Sequence, residues 1–243
     1  MSVFFLDNIN LAVSCDSTIH IWDPFVGTGV HQVDALKLGP VSVMTTMKKP
    51  STLVLAATQN DSLLHLIDCR LGNIVTDLKV CIGSAGLIRC ICSDPDGYTI
   101  NIGHSSGFIS QLDIRTGKLR LAWKAHEGEI LTLTSVNNSD FVSTSLDQVV
   151  SLWNSSDGKI KCMLPGTQEP VHCVAVNHEG EQLITGSTGN RIAIRRGFST
   201  EAPFSSSKLK SDILRGNLTS MKLLSLNRLL LLGEDTGKIR LIC

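Results

Sequence analysis

Residues 126–158 read HEGEILTLTSVNNSDFVSTSLDQVVSLWNSSDG. Three short runs rich in β-branched and apolar residues, ILTLTSV, FVSTS and VVSLW, are separated by the turn formers NNSD and LDQ, and a glycine-bearing turn, SSDG, follows the third. Such a meander is too small to bury its own apolar faces, so its meaning depends on whether it recurs.

It recurs along the whole chain. With Trp153 as the reference position, equivalent sites fall at Trp22, Ile67 and Leu112 upstream and at Ile194 and Leu241 downstream, 41 to 47 residues apart. Six residues before each stand Asp16, Asp61, Ser106, Asp147, Thr188 and Asp235, side chains that hydrogen-bond backbone groups in tight turns. The runs leading to the reference position (TIHIW, LLHLI, FISQL, VVSLW) alternate or are continuously apolar, as half-buried strands are. A second β-rich run precedes each turn (LAVS, TLVLAAT, YTINIG, FVSTS, QLITG, RLLLLG), and a third precedes that. Asp23, Asp68 and Asp113 mark the start of the turn after the reference strand. No segment sustains a helical period. The spacing predicts an array of small four-stranded sheets, with repeats near 1–34, 39–80, 86–124, 128–164, 169–214 and 216–243 of one domain spanning 1–243.

These repeats resemble WD40 repeats, and the fold class this implies is all-β: a WD40 β-propeller with six repeats visible of an expected seven. The copy at 126–158 carries the family's hydrogen-bonded set as His126, Ser145, Asp147 and Trp153, which in WD40 proteins holds one blade together rather than performing catalysis. In the other copies Ile67, Leu112, Ile194 and Leu241 replace the tryptophan and no histidine matches His126, so those blades are expected to rely on apolar packing. The last copy ends at Cys243 after its third strand and the first begins with its innermost strand, so the strand that closes WD40 rings is expected to be missing, as in a C-terminal piece of a longer protein. Several unusual stretches, among them LAVSCDSTIHIWDPFVG, SSGFISQLDIRTG, AHEGEIL and LLLLGEDTGKIRLIC, are similar to the C-terminal propeller of large BEACH-domain WD-repeat proteins of endosomal and autophagic membranes.

Composition narrows the function classes. Lys plus Arg equals Asp plus Glu, 22 against 22 in 243 residues, so no global charge draws the chain to nucleic acid or acidic lipid. No apolar run approaches the roughly 18 residues of a membrane-spanning helix, and MSVFFLDN lacks the basic start of a secretory signal. The 8 cysteines show neither framework spacing nor a Cys-x-x-Cys knuckle and read as reduced thiols. The innermost strands (SVFFL, VSVMTTM, LIRCICS, ILTLTSV, VHCVAV, LTSMKLL) contain no carboxylate, which weighs against a propeller hydrolase. No catalytic residue, cofactor or metal site is expected.

Candidate contacts then lie on rims, where loops are displayed by a rigid scaffold. Asn60, Ser105, Leu146, Ser187 and Glu234, each just before or within a turn, are candidate protein-binding residues, with plain solvated turns as the alternative. Arg195 and Arg196, in IRRGF, resemble the paired arginines of phosphoinositide-binding propellers but fall one strand early, which weighs against lipid contact. Residues 199–216, rich in Ser and Lys, read as a longer surface loop at the outer strand of the fifth repeat. The resemblance implies a non-catalytic interaction scaffold in a regulator of endosome maturation, phosphatidylinositol 3-phosphate levels and autophagy, on the cytosolic face of those membranes. Its implied partners are proteins of the endosomal phosphatidylinositol 3-kinase machinery or another WD-repeat protein, with no nucleic acid, and membrane engaged only indirectly or through upstream domains. A generic WD40 adaptor, such as a ubiquitin-ligase substrate receptor, would share the fold and differ in partner.

Overall fold

The computed structural model describes residues 2–242 apart from 7–8, 16–17, 34–39, 48–51, 59–62, 81–82, 165–168, 178, 210–215 and 225–228. All described regular structure is β, in six antiparallel sheets whose strands follow chain order, as propeller blades do. The chain divides into two compact units, Met1–Ala125 and His126–Cys243, each holding three of these sheets. In the first unit the sheets are β1 (Ser2–Leu6), β2 (Leu11–Cys15), β3 (Ile19–Asp23) and β4 (Thr28–Val33); β5 (Val41–Thr46), β6 (Leu53–Thr58), β7 (Leu63–Asp68) and β8 (Asn73–Lys79); and β9 (Ile88–Ser93), β10 (Thr99–His104), β11 (Phe108–Asp113) and β12 (Lys118–Lys124). In the second they are β13 (Ile130–Ser135), β14 (Asp140–Ser145), β15 (Val150–Asn154) and β16 (Ile160–Leu164); β17 (Val171–Val176), β18 (Gln182–Ser187), β19 (Arg191–Arg196) and β20 (Phe204–Lys208); and β21 (Leu218–Leu223), β22 (Leu230–Glu234) and β23 (Ile239–Ile242). The sixth sheet has three strands among the described residues.

Within each unit the first strands of successive sheets adjoin, β1 against β5 and β5 against β9, then β13 against β17 and β17 against β21. β6, between the first and third sheets, is thereby covered on both faces, and LVLAAT and TINIGH are buried along nearly all their length; LLHLI, read as a half-buried strand, is likewise buried in β7. Because side chains alternate, Val54 and Ala56 of β6 join the core shared with the first sheet, while Leu55 and Ala57 join the core shared with the third. In the second unit Val142, Leu152 and Leu183 pack between the fourth and fifth sheets, and Ile184, Leu218 and Leu232 between the fifth and sixth.

The turn after each third strand explains the aspartate of the repeat. Asp23, Asp68, Asp113 and Asn154 accept hydrogen bonds from the backbone N–H two residues on, at 2.8–2.9 Å. Four residues on, Gly27, Gly72, Gly117 and Gly158 hold φ of 64–75°, where a Cβ would be strained.

Register corrects the repeat alignment in the last two copies. Ala12, Val54, Ile100 and Phe141 face Trp22, Ile67, Leu112 and Trp153, as the spacing predicts. In the fifth sheet, however, Leu183 faces Arg195, and in the sixth Leu230 faces Ile242. The second strand ends at Ser145, Ser187 and Glu234 in the last three sheets, and each of these carbonyls accepts from the N–H three residues on. Trp153, Arg195 and Ile242 stand at the same offset from those residues, so Ile194 and Leu241 are one residue early, as are Thr188 and Asp235. Both Ile194 and Leu241 are exposed; their apolar character, not their register, suggested the alignment.

Candidate interaction site

The best repeat does build a hydrogen-bonded set, with one change of member. His126 Nδ1 lies 2.9 Å from Asp147 Oδ2, and its Nε2 lies 2.7 Å from Ser143 Oγ. Trp153 Nε1 donates to the same Ser143 Oγ at 2.7 Å. The serine of the set is thus Ser143, and Ser145 does not occupy that place. Ser145 Oγ instead accepts from the Asp147 backbone N–H at 3.1 Å, shaping the turn. Burial pushes the His126 imidazole below its ordinary value, although the Asp147 carboxylate pulls the other way. A neutral ring satisfies every group: Nδ1–H donates to Asp147, Ser143 O–H donates to Nε2, and Trp153 N–H donates to the serine oxygen. Burial would raise the Asp147 pKa, but donors from Val149, His126 and Glu127 outweigh it and hold the carboxyl below its usual range. The three side chains of this His–Ser–Asp set bond one another or the adjoining backbone and Trp153, and the arrangement ties β14 and β15 to the segment before β13.

The other blades are not purely apolar. In the first, Trp22 Nε1 donates to Ser14 Oγ at 2.9 Å, but the indole is 40% exposed where Trp153 is 5%. In the third, a buried chain replaces the set: Gln111 donates to Asn101 at 2.8 Å, Asn101 to Asp94 at 2.9 Å, and His104 Nε2 meets Ser110 Oγ at 2.7 Å. His65 in the second pairs with Asp77 at 2.7 Å. These residues were missed because their polar character was read against an apolar strand pattern; the cross-strand pairing of Asn101 with Gln111 is the signal that reveals them.

His126 and His104 are both held below the ordinary histidine value by burial. The unfolded chain therefore takes up protons that the fold does not once pH falls below about 6.5, so stability should decline as pH drops through that point. Urea unfolding at pH 7.5 and 5.5 should show the lower midpoint at pH 5.5, and His126→Gln or His104→Gln should flatten the difference. An unchanged slope in both variants would contradict the assignment.

Of the rim candidates, Leu146 is exposed and Ser105 half-buried, its Oγ accepting from the Leu87 N–H at 3.0 Å. Ser187 and Glu234 are buried and do not line a rim. Ser187 bonds the Glu169 carboxylate, and Glu234 accepts from the Gly216 N–H, Thr236 and Arg240. Asp235 accepts from Asn217 through both backbone and side chain, at 2.9 and 2.8 Å, anchoring the approach to β21. Asp16, Asn60 and Asp61 lie outside the described residues. Arg195 is 6% exposed with its guanidinium 4.7 Å from the Phe204 ring centre, so it cannot share a lipid phosphate with the exposed Arg196. The long segment expected at 199–216 contains strand β20.

Several strongly exposed large apolar residues sit on turns outside the set of rim candidates. Phe25 (76% exposed), Val26 and Leu71 crown the Asp23–Gly27 and Asp68–Gly72 turns, with Trp22, Val30 and Val75 beside them. The apex occupied by Val26 and Leu71 is Thr116 in the third repeat and Asp157 in the fourth. The second turn approaches the first sheet at β4: a Cβ on Gly72 would lie 2.8 Å from that of His31. Clustered aromatic and aliphatic side chains in water mark a contact surface.

Comparison with known proteins accords with this architecture. The family model for WD40 (WD domain, G-beta repeat) matches residues 117–154 and 155–194. WD repeat-containing protein 81 from Danio rerio is 36% identical over 248 residues, covering 99% of this chain and 12% of that protein. The Homo sapiens protein of the same name is 35% identical over 246 residues with the same coverage. Suppressor of organelle fusion 2 from Caenorhabditis elegans is 26% identical over 237 residues, covering 96% of this chain and 17% of that protein. The chain thus spans about an eighth of the length of the first two relatives. Among solved structures, the computationally designed Ika8 protein superposes with a TM-score of 0.73 at 17% identity, over 95% of this chain and 66% of that one, a likeness of fold alone.

Proposed function

From the premise that this chain carries WD40 repeats and is similar over 99% of its length to WD repeat-containing protein 81, we infer that it is a non-catalytic protein-interaction scaffold. The observation that carries this reading is the exposure of Phe25, Val26 and Leu71 on the turns that follow the third strands of the first two sheets, at positions that are polar in later repeats. Innermost strands without a carboxylate support the absence of hydrolytic chemistry. The setting proposed for this scaffold is endosome maturation, phosphatidylinositol 3-phosphate control and autophagy, on the cytosolic face of those membranes, with partners in the endosomal phosphatidylinositol 3-kinase machinery or another WD-repeat protein. The name of the nematode relative, a suppressor of organelle fusion, favours a membrane-trafficking setting over a ubiquitin-ligase adaptor.

The test is a Phe25→Ser, Val26→Ser, Leu71→Ser triple variant of the full-length protein, with partners identified by affinity purification and endosomal phosphatidylinositol 3-phosphate measured by a lipid probe. The surface positions of all three leave the fold intact, so endosomal partners should be lost and the lipid level should move to that of cells lacking the protein. Wild-type recovery of ligase subunits without endosomal proteins would sink the trafficking reading in favour of the adaptor.

A further inference from the structure

The β19–β20 hairpin of the fifth sheet concentrates cations. Arg70, Arg115, Lys159, Lys161 and Arg240 each pair with a carboxylate. Arg191, Arg195 and Arg196 of β19 and Lys208 of β20 do not, among the described residues, and Glu201 is the one acidic residue between Gln182 and Leu209. In a chain of zero net charge this hairpin is a local concentration of uncompensated cations. Arg195 is held inward beneath the Phe204 ring, while Arg196 projects into a groove formed with Ile194, Pro203, Phe204 and Ser205. The groove therefore has an apolar floor and a cationic wall.

β20 itself, FSSSK, exposes all five side chains. It is the last strand of its sheet, with no neighbour beyond it among the described residues. Pairing with β19 uses the backbone groups of alternate residues: Arg196 donates to the Pro203 carbonyl at 3.0 Å and Leu209 donates to the Asn190 carbonyl at 2.9 Å. With Ser205 opposite Ile194 and Ser207 opposite Ile192, the N–H and C=O groups of Phe204, Ser206 and Lys208 point to the open edge. Small hydroxyl side chains leave that edge sterically free, and Pro203 at one end and Lys208 at the other limit pairing to the strand between them.

We propose that the open edge of β20 takes up an extended acidic peptide of a partner protein as an added strand, its carboxylates meeting Arg196 on one face of the sheet and Lys208 and Arg191 on the other, and an apolar residue entering the groove beside Ile194 and Arg196. Main-chain hydrogen bonds hold such a peptide, and the cations and groove select its sequence. This goes beyond the scaffold reading, which concerns the first unit's turns, and the two fail separately because their variants do not overlap.

The experiment titrates the 243-residue chain into a short fluorescein-labelled peptide of Asp and Glu on both faces around a single Val, Leu or Phe, followed by anisotropy, with amide protection read by NMR. Binding should weaken as salt rises, Arg196→Glu should lower affinity by about tenfold or more, and the Phe204, Ser206 and Lys208 amides should gain protection while Ser205 and Ser207, already bonded to β19, change little. A Lys-substituted peptide, or one with proline at alternate positions, should not bind. The proposal is overturned if the acidic peptide does not bind, if Arg196→Glu binds it equally, or if protection appears elsewhere. It is also overturned if vesicles of phosphatidylcholine with phosphatidylinositol 3-phosphate bind the chain through Arg196 while the peptide does not.

Discussion

Trp153→Ala is expected to lower the unfolding free energy by about 3–5 kcal/mol, the usual cost of emptying a fully packed aromatic site. Trp22→Ala, at the same position of the first repeat, should cost about 1–2 kcal/mol, because an indole left 40% in water has less transfer energy to lose. The two residues carry the same mark in sequence and differ in environment. Trp153 is enclosed with His126, their ring centres 6.3 Å apart in an edge-on arrangement, and donates to a serine that is itself fully buried. Trp22 lies over Gly29, which offers no side chain to cover it, and its serine partner sits in an exposed pair. Urea unfolding of both variants, with hydrogen exchange reporting on each unit separately, measures the difference. Equal losses would mean that Trp22 is enclosed as Trp153 is.

The second large effect separates two serines two residues apart. Ser143→Ala leaves His126 Nε2 and the Trp153 indole N–H without their buried partner, and should cost about 2–4 kcal/mol, since each buried group left without a partner loses about 1–3 kcal/mol. Ser145→Ala removes one hydrogen bond to the Asp147 amide and should cost about 1 kcal/mol. A double-mutant cycle of Ser143→Ala with Trp153→Phe should show strong coupling, because both substitutions break one network, whereas Ser145→Ala with Trp153→Phe should be nearly additive. The reverse order of costs would restore Ser145 to the set.

The repeat period, the turn positions and the strand runs were readable from residues because each rests on a local requirement: an Asp or Asn to cap a turn, a glycine at positive φ, a run of β-branched residues. The choice between Ser143 and Ser145 was not, since both point to the same face of β14 and spacing along one strand cannot rank them. A cross-strand signal was present: in both tryptophan-bearing repeats a serine stands two residues beyond the residue facing the indole, Ser14 after Ala12 and Ser143 after Phe141. Alignment failed in the fifth and sixth repeats for the opposite reason. Arg195 occupies the tryptophan position by stacking its planar head on Phe204, a solution that hydrophobic pattern matching rejects in favour of the neighbouring Ile194. Ser187 and Glu234 were expected at a rim because turns are usually wet, yet they are consumed as acceptors and donors that fix the preceding segment.

The double-sided burial of β6 gives the middle sheet of the first unit a rule of parity. Along β6, a substitution at Val54 or Ala56 is felt by the first sheet and one at Leu55 or Ala57 by the third, although these residues are consecutive in the chain. A disturbance entering through one face must therefore cross the strand's backbone, not its side chains, to reach the next sheet. Adjacent residues of a middle strand belong to different neighbourhoods, and residues two apart belong to the same one. Variation in a repeat is thus confined to the interface it touches, which leaves each blade free to diverge, as the first, third and fifth have, without unsettling the sheet on its other side.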